Sequence, residues 1–316
     1  MVGTEKRQAV RCIDVVVGGD VLRMVVDGLP NLEAGSPADA LAELRRDHDE
    51  FRRFVTEPPR GYAGLIACLL LPAFSQNTAR TAVVAPAIGY VPVAATPLMA
   101  AATSLITLRE VKPTEPVTMV HFDTANGPVA IEVTVKSGNI VSTSWCCERP
   151  TLISRDKVKL ANGLVIPVTI VFSGLPYGVV SASDLNIDFE DRTVLGKGGA
   201  SVCDGLNQQH PLRGLGLDKV ANQYHVMIVD NIQEAPEPKV QVTCVGQSGW
   251  VFNTPAGTGA LSVGAHFQAL DLLDYGARLE TYTPFGGRLY ISISPEQAFV
   301  HASCEVVAEL DLYGAP

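Results

Sequence analysis

Two stretches of the same design, 160 to 162 residues apart, constrain this chain more than any other feature. Around Asp14, the strand-like runs Val10–Val17 and Leu22–Val26 flank Gly18-Gly19-Asp20. Around Gly174, 160 residues later, Val168–Phe172 and Tyr177–Ser181 flank Ser173-Gly174-Leu175. Each unit is followed downstream by an apolar helical run behind a small-residue loop. Met99–Leu108 follows Ala94-Ala95-Thr96-Pro97, and Ala260–Leu273 follows Thr254-Pro255-Ala256-Gly257-Thr258-Gly259, with Ala94 and Ala256 offset by 162. A near-constant shift at both landmarks predicts an internal duplication. The expected fold is α/β (α+β), with two pseudo-symmetric lobes over residues 1–160 and 161–316. Each lobe is a mostly antiparallel sheet or barrel wrapped around a central apolar helix, with a cleft between lobes.

Other strand signals fit this plan: Val117–Phe122, Val129–Val135, Ile140–Trp145, Val165–Phe172, Gly178–Ser181, Tyr224–Val229, Lys239–Val245, Arg288–Ile293 and Phe299–Leu310. They are rich in β-branched residues and separated by turn signals such as Asn126-Gly127 and Ser137-Gly138-Asn139. Pro37–Val55 is amphipathic and charge-laced, which predicts a solvated surface helix. Between Arg80 and Arg109 lie 28 uncharged residues, but Pro86, Gly89, Pro92 and Pro97 interrupt them. The uninterrupted part is too short to span a membrane and reads as strand and loop feeding a buried helix. The N-terminus lacks the apolar core of a secretory signal.

Charge narrows the function classes. Lys plus Arg number 24 against 33 Asp plus Glu, for a net charge of −9, and no basic cluster stands out, so nucleic acid is not an expected partner. The 7 cysteines form no CxxC, and the 6 histidines form no HExxH, so no metal site is expected. Reduced thiols suit a cytoplasmic chain. Cys146-Cys147, beside Trp145, reads as inert buried packing. His48 reads as solvated and His266 as a satisfied core histidine.

The motifs resemble the proline racemase family, which includes hydroxyproline epimerases and trans-3-hydroxyproline dehydratases and shares the diaminopimelate epimerase fold. Ile13-Asp14 with Gly18-Gly19 and Arg23-Met24-Val25-Val26 is similar to its opening segment. Asp47-His48-Asp49 through Pro59-Arg60-Gly61, Gly89-Tyr90-Val91-Pro92 and Thr254-Pro255-Ala256-Gly257-Thr258-Gly259 are similar to later signatures. The resemblance implies a site between lobes at the N-termini of the two central helices, and a last strand that returns to the first lobe. It also implies two facing thiols that remove and return a substrate Cα proton. Here those positions are Ala94 and Ala256. Thr96 replaces a histidine, Phe252 an aspartate, and Val16 a second histidine. Racemase, epimerase and thiol-dependent dehydratase activities are therefore not expected.

The replacements point to an enlarged, mostly apolar pocket shaped by Val16, Tyr90, Val93, Ala94, Ala95, Phe252 and Ala256. Thr96, Gly257 and Thr258 would supply hydrogen-bond donors. The preferred reading is a cofactor-independent cyclase acting on a large apolar, polyketide-type small molecule, in which oriented donors and shape replace proton transfer. A non-catalytic ligand-binding protein and an isomerase or dehydratase using Asp14 or Asp20 stay open beside it. A homodimer is compatible with all three.

Overall fold

The computed structural model describes residues 9–62, 64–86, 89–217, 223–233, 238–246 and 248–314. The chain divides into two compact units. One comprises the residues up to Trp145 with those from Ala302 onward, and the other Cys146–His301. The boundary thus falls fifteen residues before the expected 160/161 division, because the strand after Cys146-Cys147 belongs with the second unit.

The first unit contains β1 (Ala9–Val17), β2 (Asp20–Asp27), α1 (Pro37–Asp47), α2 (Asp49–Thr56), β3 (Ile66–Leu71), β4 (Arg80–Ala85), α3 (Ala95–Thr107), β5 (Val117–Thr124) and β6 (Gly127–Lys136). β7 (Asn139–Glu148) runs across the boundary. The second unit holds β8 (Thr151–Lys159), β9 (Val165–Phe172), β10 (Pro176–Ser181), the short α4 (Ala182–Leu185) and α5 (Arg192–Gln209). After these come β11 (His225–Gln233), β12 (Lys239–Val245), α6 (Gly257–Gln268), β13 (Arg278–Tyr282), β14 (Arg288–Ile293) and β15 (Gln297–Ala302). The final strand, β16 (Cys304–Tyr313), pairs with β1 in the first unit. The single strand expected over Phe299–Leu310 is therefore two, separated at Ser303.

Strand pairing repeats the duplication in detail. In the order β16-β1-β2-β3-β4-β5-β6-β7, only the β2/β3 and β4/β5 pairs are parallel. In the order β8-β9-β10-β11-β12-β13-β14-β15, only β10/β11 and β12/β13 are parallel. These are the same two places in each series. Parallel neighbours need a crossover, and helices supply it at all four places: α1–α2 between β2 and β3, α3 between β4 and β5, α4–α5 between β10 and β11, and α6 between β12 and β13.

Each central helix is apolar all round because sheet surrounds it. Ala95–Ile106 of α3 are all buried, and the helix packs on β1, β2, β3, β4, β6 and β16. Two of its hydroxyls turn back on the backbone, Thr103 Oγ1 donating to the Met99 carbonyl at 3.0 Å and Thr107 Oγ1 to that of Thr103 at 2.8 Å. In the second unit α6 packs on β8, β9, β10, β11 and β14. Both helices begin earlier than the sequence pattern suggests, by four residues at Ala95 and three at Gly257, since their loops wind directly into the first turn. α6 also stops at Gln268 rather than Leu273.

Two other departures have clear causes. The surface helix expected over Pro37–Val55 breaks at His48 (φ −132°, ψ 30°), giving α1 and α2. Ser36 caps α1 by accepting the Asp39 N–H at 3.2 Å. α5 carries Gly196, Gly198, Gly199 and Gly205, a composition that does not read as helical. Those glycines are there for contact: a Cβ at Gly199 would lie 2.5 Å from the Val245 Cβ, and one at Gly205 2.7 Å from Val158 Cγ2. Among the described residues, no helix is long and apolar enough to cross a membrane.

Candidate functional site

In the first unit, the candidate residues gather where β4 leads into α3. Val91 forms an isolated antiparallel bridge to Val84, which holds the returning loop. Val93 and Ala94 follow, part-exposed, and Ala94 is the N-cap with extended backbone and no side-chain cap bond. The first-turn N–H groups of Ala95 and Thr96 have no partner within the helix, and Pro97 offers none. Thr96 is 7% exposed.

Two residues of this unit are engaged elsewhere. Tyr90 sits in the core cluster with Leu41, Phe51 and Val83, and its hydroxyl donates to the His48 carbonyl at 2.9 Å. Arg45 donates to the Tyr90 carbonyl from Nη2 at 2.8 Å. Tyr90 thus ties the loop before α3 to the α1/α2 junction rather than standing as an open wall. Asp14 faces Arg23 across the β1/β2 hairpin. Both carboxylate oxygens accept from the guanidinium at 2.9 Å, and Arg23 also donates to the Val55 carbonyl at 3.0 Å and to that of Arg60 at 2.5 Å. A carboxylate held on both oxygens is fixed as an ion-pair partner, not poised as a general base. Val16, two residues on, is part-exposed.

The second unit repeats the loop-to-helix arrangement. Val251 bridges Val245 as Val91 bridges Val84. The Phe252 N–H donates to the Cys244 carbonyl at 3.1 Å. Arg192, at the first turn of α5, clips both neighbours of Phe252, donating to the Val251 carbonyl at 2.9 Å and to Asn253 Oδ1 at 2.6 Å. The guanidinium also stacks on Phe285, 3.8 Å from its ring centre. Thr283 Oγ1 donates to the Asn253 carbonyl at 2.5 Å. Phe252 therefore projects from a segment held on both sides.

Ala256, the N-cap of α6, adopts φ 57° and ψ 122°, a region that costs an L-residue roughly 1–3 kcal/mol. No side chain caps the helix, so the Gly257, Thr258 and Gly259 N–H groups are available, while Ala260 donates to the Ala256 carbonyl at 2.7 Å. The Thr258 hydroxyl lies 2.7 Å from that of Tyr177 on β10. Tyr177 is 2% exposed, and burial pushes its phenol far above the ordinary range. Its ring centre is 5.7 Å from that of His225, whose Nδ1 is buried with no hydrogen-bond partner among the described residues. Burial pulls the His225 imidazole down to about 4, so it is neutral. Gly259 lets this turn seat closely: a Cβ there would lie 2.6 Å from Met227 Sδ and 3.3 Å from Tyr177 Cε1. Thr254 Oγ1, just before the turn, is likewise buried and unpartnered.

The seven cysteines are thiols outside any disulfide, and burial pushes Cys12, Cys68, Cys147 and Cys203 up to about 12. Cys146 is exposed, contrary to the buried packing role expected of it. His266 Nδ1 lies 2.8 Å from Thr169 Oγ1, the satisfied core position expected of it. Among the described residues, no group of three His, Cys, Asp or Glu is placed to hold a metal ion. Tyr177, His225, Arg192 and Thr283 were not legible as site residues. Only Tyr177 left a signal, since a tyrosine inside an apolar strand needs a partner for its hydroxyl.

Comparison with known proteins agrees with this architecture. The chain is 24% identical over 297 residues to a proline racemase of Clostridioides difficile, covering 90% of this chain and 85% of the relative. It is 24% identical over 270 residues to a trans-3-hydroxy-L-proline dehydratase of Bacillus cereus, covering 84% and 79%. A hydroxyproline epimerase from Agrobacterium vitis, solved with bound trans-4-hydroxy-L-proline, superposes with a TM-score of 0.81 at 20% identity, over 98% of this chain and 93% of that one. At that identity the structural likeness is one of fold. The sequence profile described as proline racemase matches residues 12–309, and the chain belongs to the proline racemase family.

Proposed function

We propose that this family member is a cofactor-independent cyclase, closing a ring in a large apolar substrate that bears a carbonyl or lactone. The observation that carries the proposal is the start of α6. A methyl group stands at the N-cap, while three backbone N–H groups and the Thr258 hydroxyl remain as donors. A methyl group has no proton to exchange, so a thiol shuttle is not available at Ala256 or Ala94. Donors fixed on a helix start can still stabilise an oxygen that gains electron density in a transition state, an effect worth roughly 3–4 kcal/mol per well-placed group. Ring closure by cycloaddition needs no acid or base beyond such polarisation and a near-attack conformation.

The isomerase fold shared by the relatives supports a reaction that rearranges a substrate without a cofactor; their named amino-acid substrates do not account for Phe252, Thr96 and the two alanines. The held position of Phe252, part-exposed between two clipped neighbours, favours hydrocarbon over an ammonium group.

The reading is tested by incubating the purified protein with 1,7,9-decatrien-3-one, a linear trienone whose terminal enone can close on its diene. The expected result is accelerated formation of a bicyclic ketone of unchanged mass, with the acceleration lost in Thr258→Val. Closure at the buffer rate would remove the support for a cyclase and leave ligand binding as the surviving function.

A further inference from the structure

We propose that Tyr177 is a positioning residue that fixes the proton of the Thr258 hydroxyl toward the ligand. This inference rests on the reading of the α6 start as a carbonyl-binding site. The two hydroxyl oxygens are 2.7 Å apart, a full-strength hydrogen bond, and either could donate on distance alone.

Burial decides the direction. Tyr177 is 2% exposed, and no other partner of its hydroxyl is found among the described residues. Were Thr258 the donor, the phenolic proton, buried beside the His225 ring and Cys244, would have no hydrogen-bond acceptor among the described residues, a cost paid in full for a buried group. Thr258 is only part-buried, so its proton has somewhere else to go. The lower-cost arrangement has the phenol donating to Thr258 Oγ1 and Thr258 donating outward. A phenol is also the stronger acid of the two, and burial holds it protonated.

The surroundings keep the pair in place. Met227 and the Tyr177 ring pack against Gly259, which leaves no room for a side chain between the helix turn and β10 or β11. Thr258 Cγ2 faces Gly174, 3.8 Å from where a Cβ on that glycine would stand. The neighbouring His225 is neutral and gives Thr258 no competing charge.

A two-member chain from Tyr177 through Thr258 to a ligand oxygen is cooperative, each bond polarising the next. It makes Thr258 an obligate donor, so the position selects carbonyl or oxyanion oxygen and rejects a ligand N–H. That is a specificity role distinct from contact, since Tyr177 touches no substrate in it.

The test uses trans-β-ionone, an apolar dienone whose ultraviolet maximum moves to longer wavelength as its carbonyl accepts a stronger hydrogen bond. Wild-type protein is expected to bind it with a red-shifted maximum. Tyr177→Phe keeps the ring and loses the hydroxyl; it should shrink the red shift and weaken binding about 3-fold, with melting temperature and far-ultraviolet dichroism little changed. Thr258→Val should abolish the shift attributable to the side chain and weaken binding roughly 10-fold. The double variant should match Thr258→Val, because Tyr177 acts only through Thr258. A purely structural tyrosine would change affinity or melting without moving the bound dienone's maximum. Wild-type-like red shift in Tyr177→Phe, or additive losses in the double variant, would overturn the relay while leaving the carbonyl site standing. Failure of wild-type protein to bind the dienone would overturn the site and the relay together.

Discussion

The Asp14–Arg23 pair offers a direct way to separate structural from chemical carboxylates in this fold. Asp14 is the acid that an isomerase without thiols would draw on first, yet the structure commits it to Arg23. Asp14 and Arg23 are 8% and 6% exposed, and the guanidinium makes two bonds to the carboxylate and one to each of the Val55 and Arg60 carbonyls. Asp14→Asn leaves the size of the side chain almost unchanged but strands a buried cation that has only two carbonyls and an amide to face. Breaking a buried pair from one side costs about 3–5 kcal/mol. At roughly 2–4 °C per kcal/mol for a domain of this size, the melting transition should fall by about 6–20 °C. Arg23→Lys keeps the charge but loses the planar fork, so it should fall by a comparable or slightly smaller amount. Combining Asp14→Asn with Arg23→Met should cost less than the sum of the single changes by about 1–3 kcal/mol, because the charge stranded by either is absent from both. Thermal unfolding followed by circular dichroism reads wild type, Asp14→Asn, Arg23→Lys, Arg23→Met and the double variant. An Asp14→Asn variant that melts within about 2 °C of wild type would refute the structural assignment and return Asp14 to the list of candidate bases.

Three further predictions address the helix starts and the buried histidines. Introducing cysteines at both shuttle positions, Ala94→Cys with Ala256→Cys, should not produce exchange of the proline Cα proton in deuterated water, because Phe252 and Thr96 leave the amino acid unrecognised; measurable deuterium incorporation by nuclear magnetic resonance would contradict this. Ala256→Gly should raise stability by up to about 2 kcal/mol, since relief of positive-φ strain of about 1–3 kcal/mol outweighs the added unfolded-state entropy of glycine, about 0.5–1 kcal/mol; a lower urea midpoint would count against strain at that N-cap. His225 and His266 are both pulled by burial from 6.5 to about 4, so between those values the unfolded chain binds more protons than the folded one and stability falls as pH falls. Each contributes at most about 3 kcal/mol, present above pH 6.5 and gone below pH 4. Urea titrations at pH 7 and pH 4.5 should show a smaller acid loss in His225→Gln than in wild type, and an equal loss would refute the assignment to His225.

What the sequence discloses here follows from where each interaction lies along the chain. The buried strands and the two apolar helices are legible because their hydrophobic residues are consecutive, and the duplication is legible because loop composition recurs before each helix. β8 is not, since Arg155, Asp156 and Lys157 break its pattern, a charge content suited to a strand that pairs on one side. α5 is hidden by glycines whose purpose is visible only against Val245 and Val158. At the site, Ala94, Thr96, Ala256 and Phe252 could be picked out because they interrupt familiar motifs, and Thr258 because it keeps its place in one. Tyr177 could not be, because its partner is 81 residues away. Asp14 and Arg23 lie directly opposite in a hairpin that the Gly18-Gly19 turn marks out, so their pairing follows from register alone once that turn is read as a hairpin.

The substitutions at the two N-caps and the retention of the fold are consistent with one another for a physical reason. Neither Ala94 nor Ala256 provides a side-chain cap, and each helix is held by the burial of its remaining turns against sheet on several sides. Helix stability therefore does not rest on a side-chain cap at these positions, whatever the backbone strain at Ala256. A scaffold partitioned in this way can exchange one small side chain for another at the N-cap without unfolding, and the donors beside it persist because they belong to the backbone. Thr258 and its partner Tyr177 extend that backbone array by one oriented hydroxyl. On the proposed reading, selection acting on such a site is free to change which ligand oxygen is polarised and which hydrocarbon surrounds it. It cannot easily remove the polarising array, because doing so would require capping or unwinding a helix on which the whole unit packs.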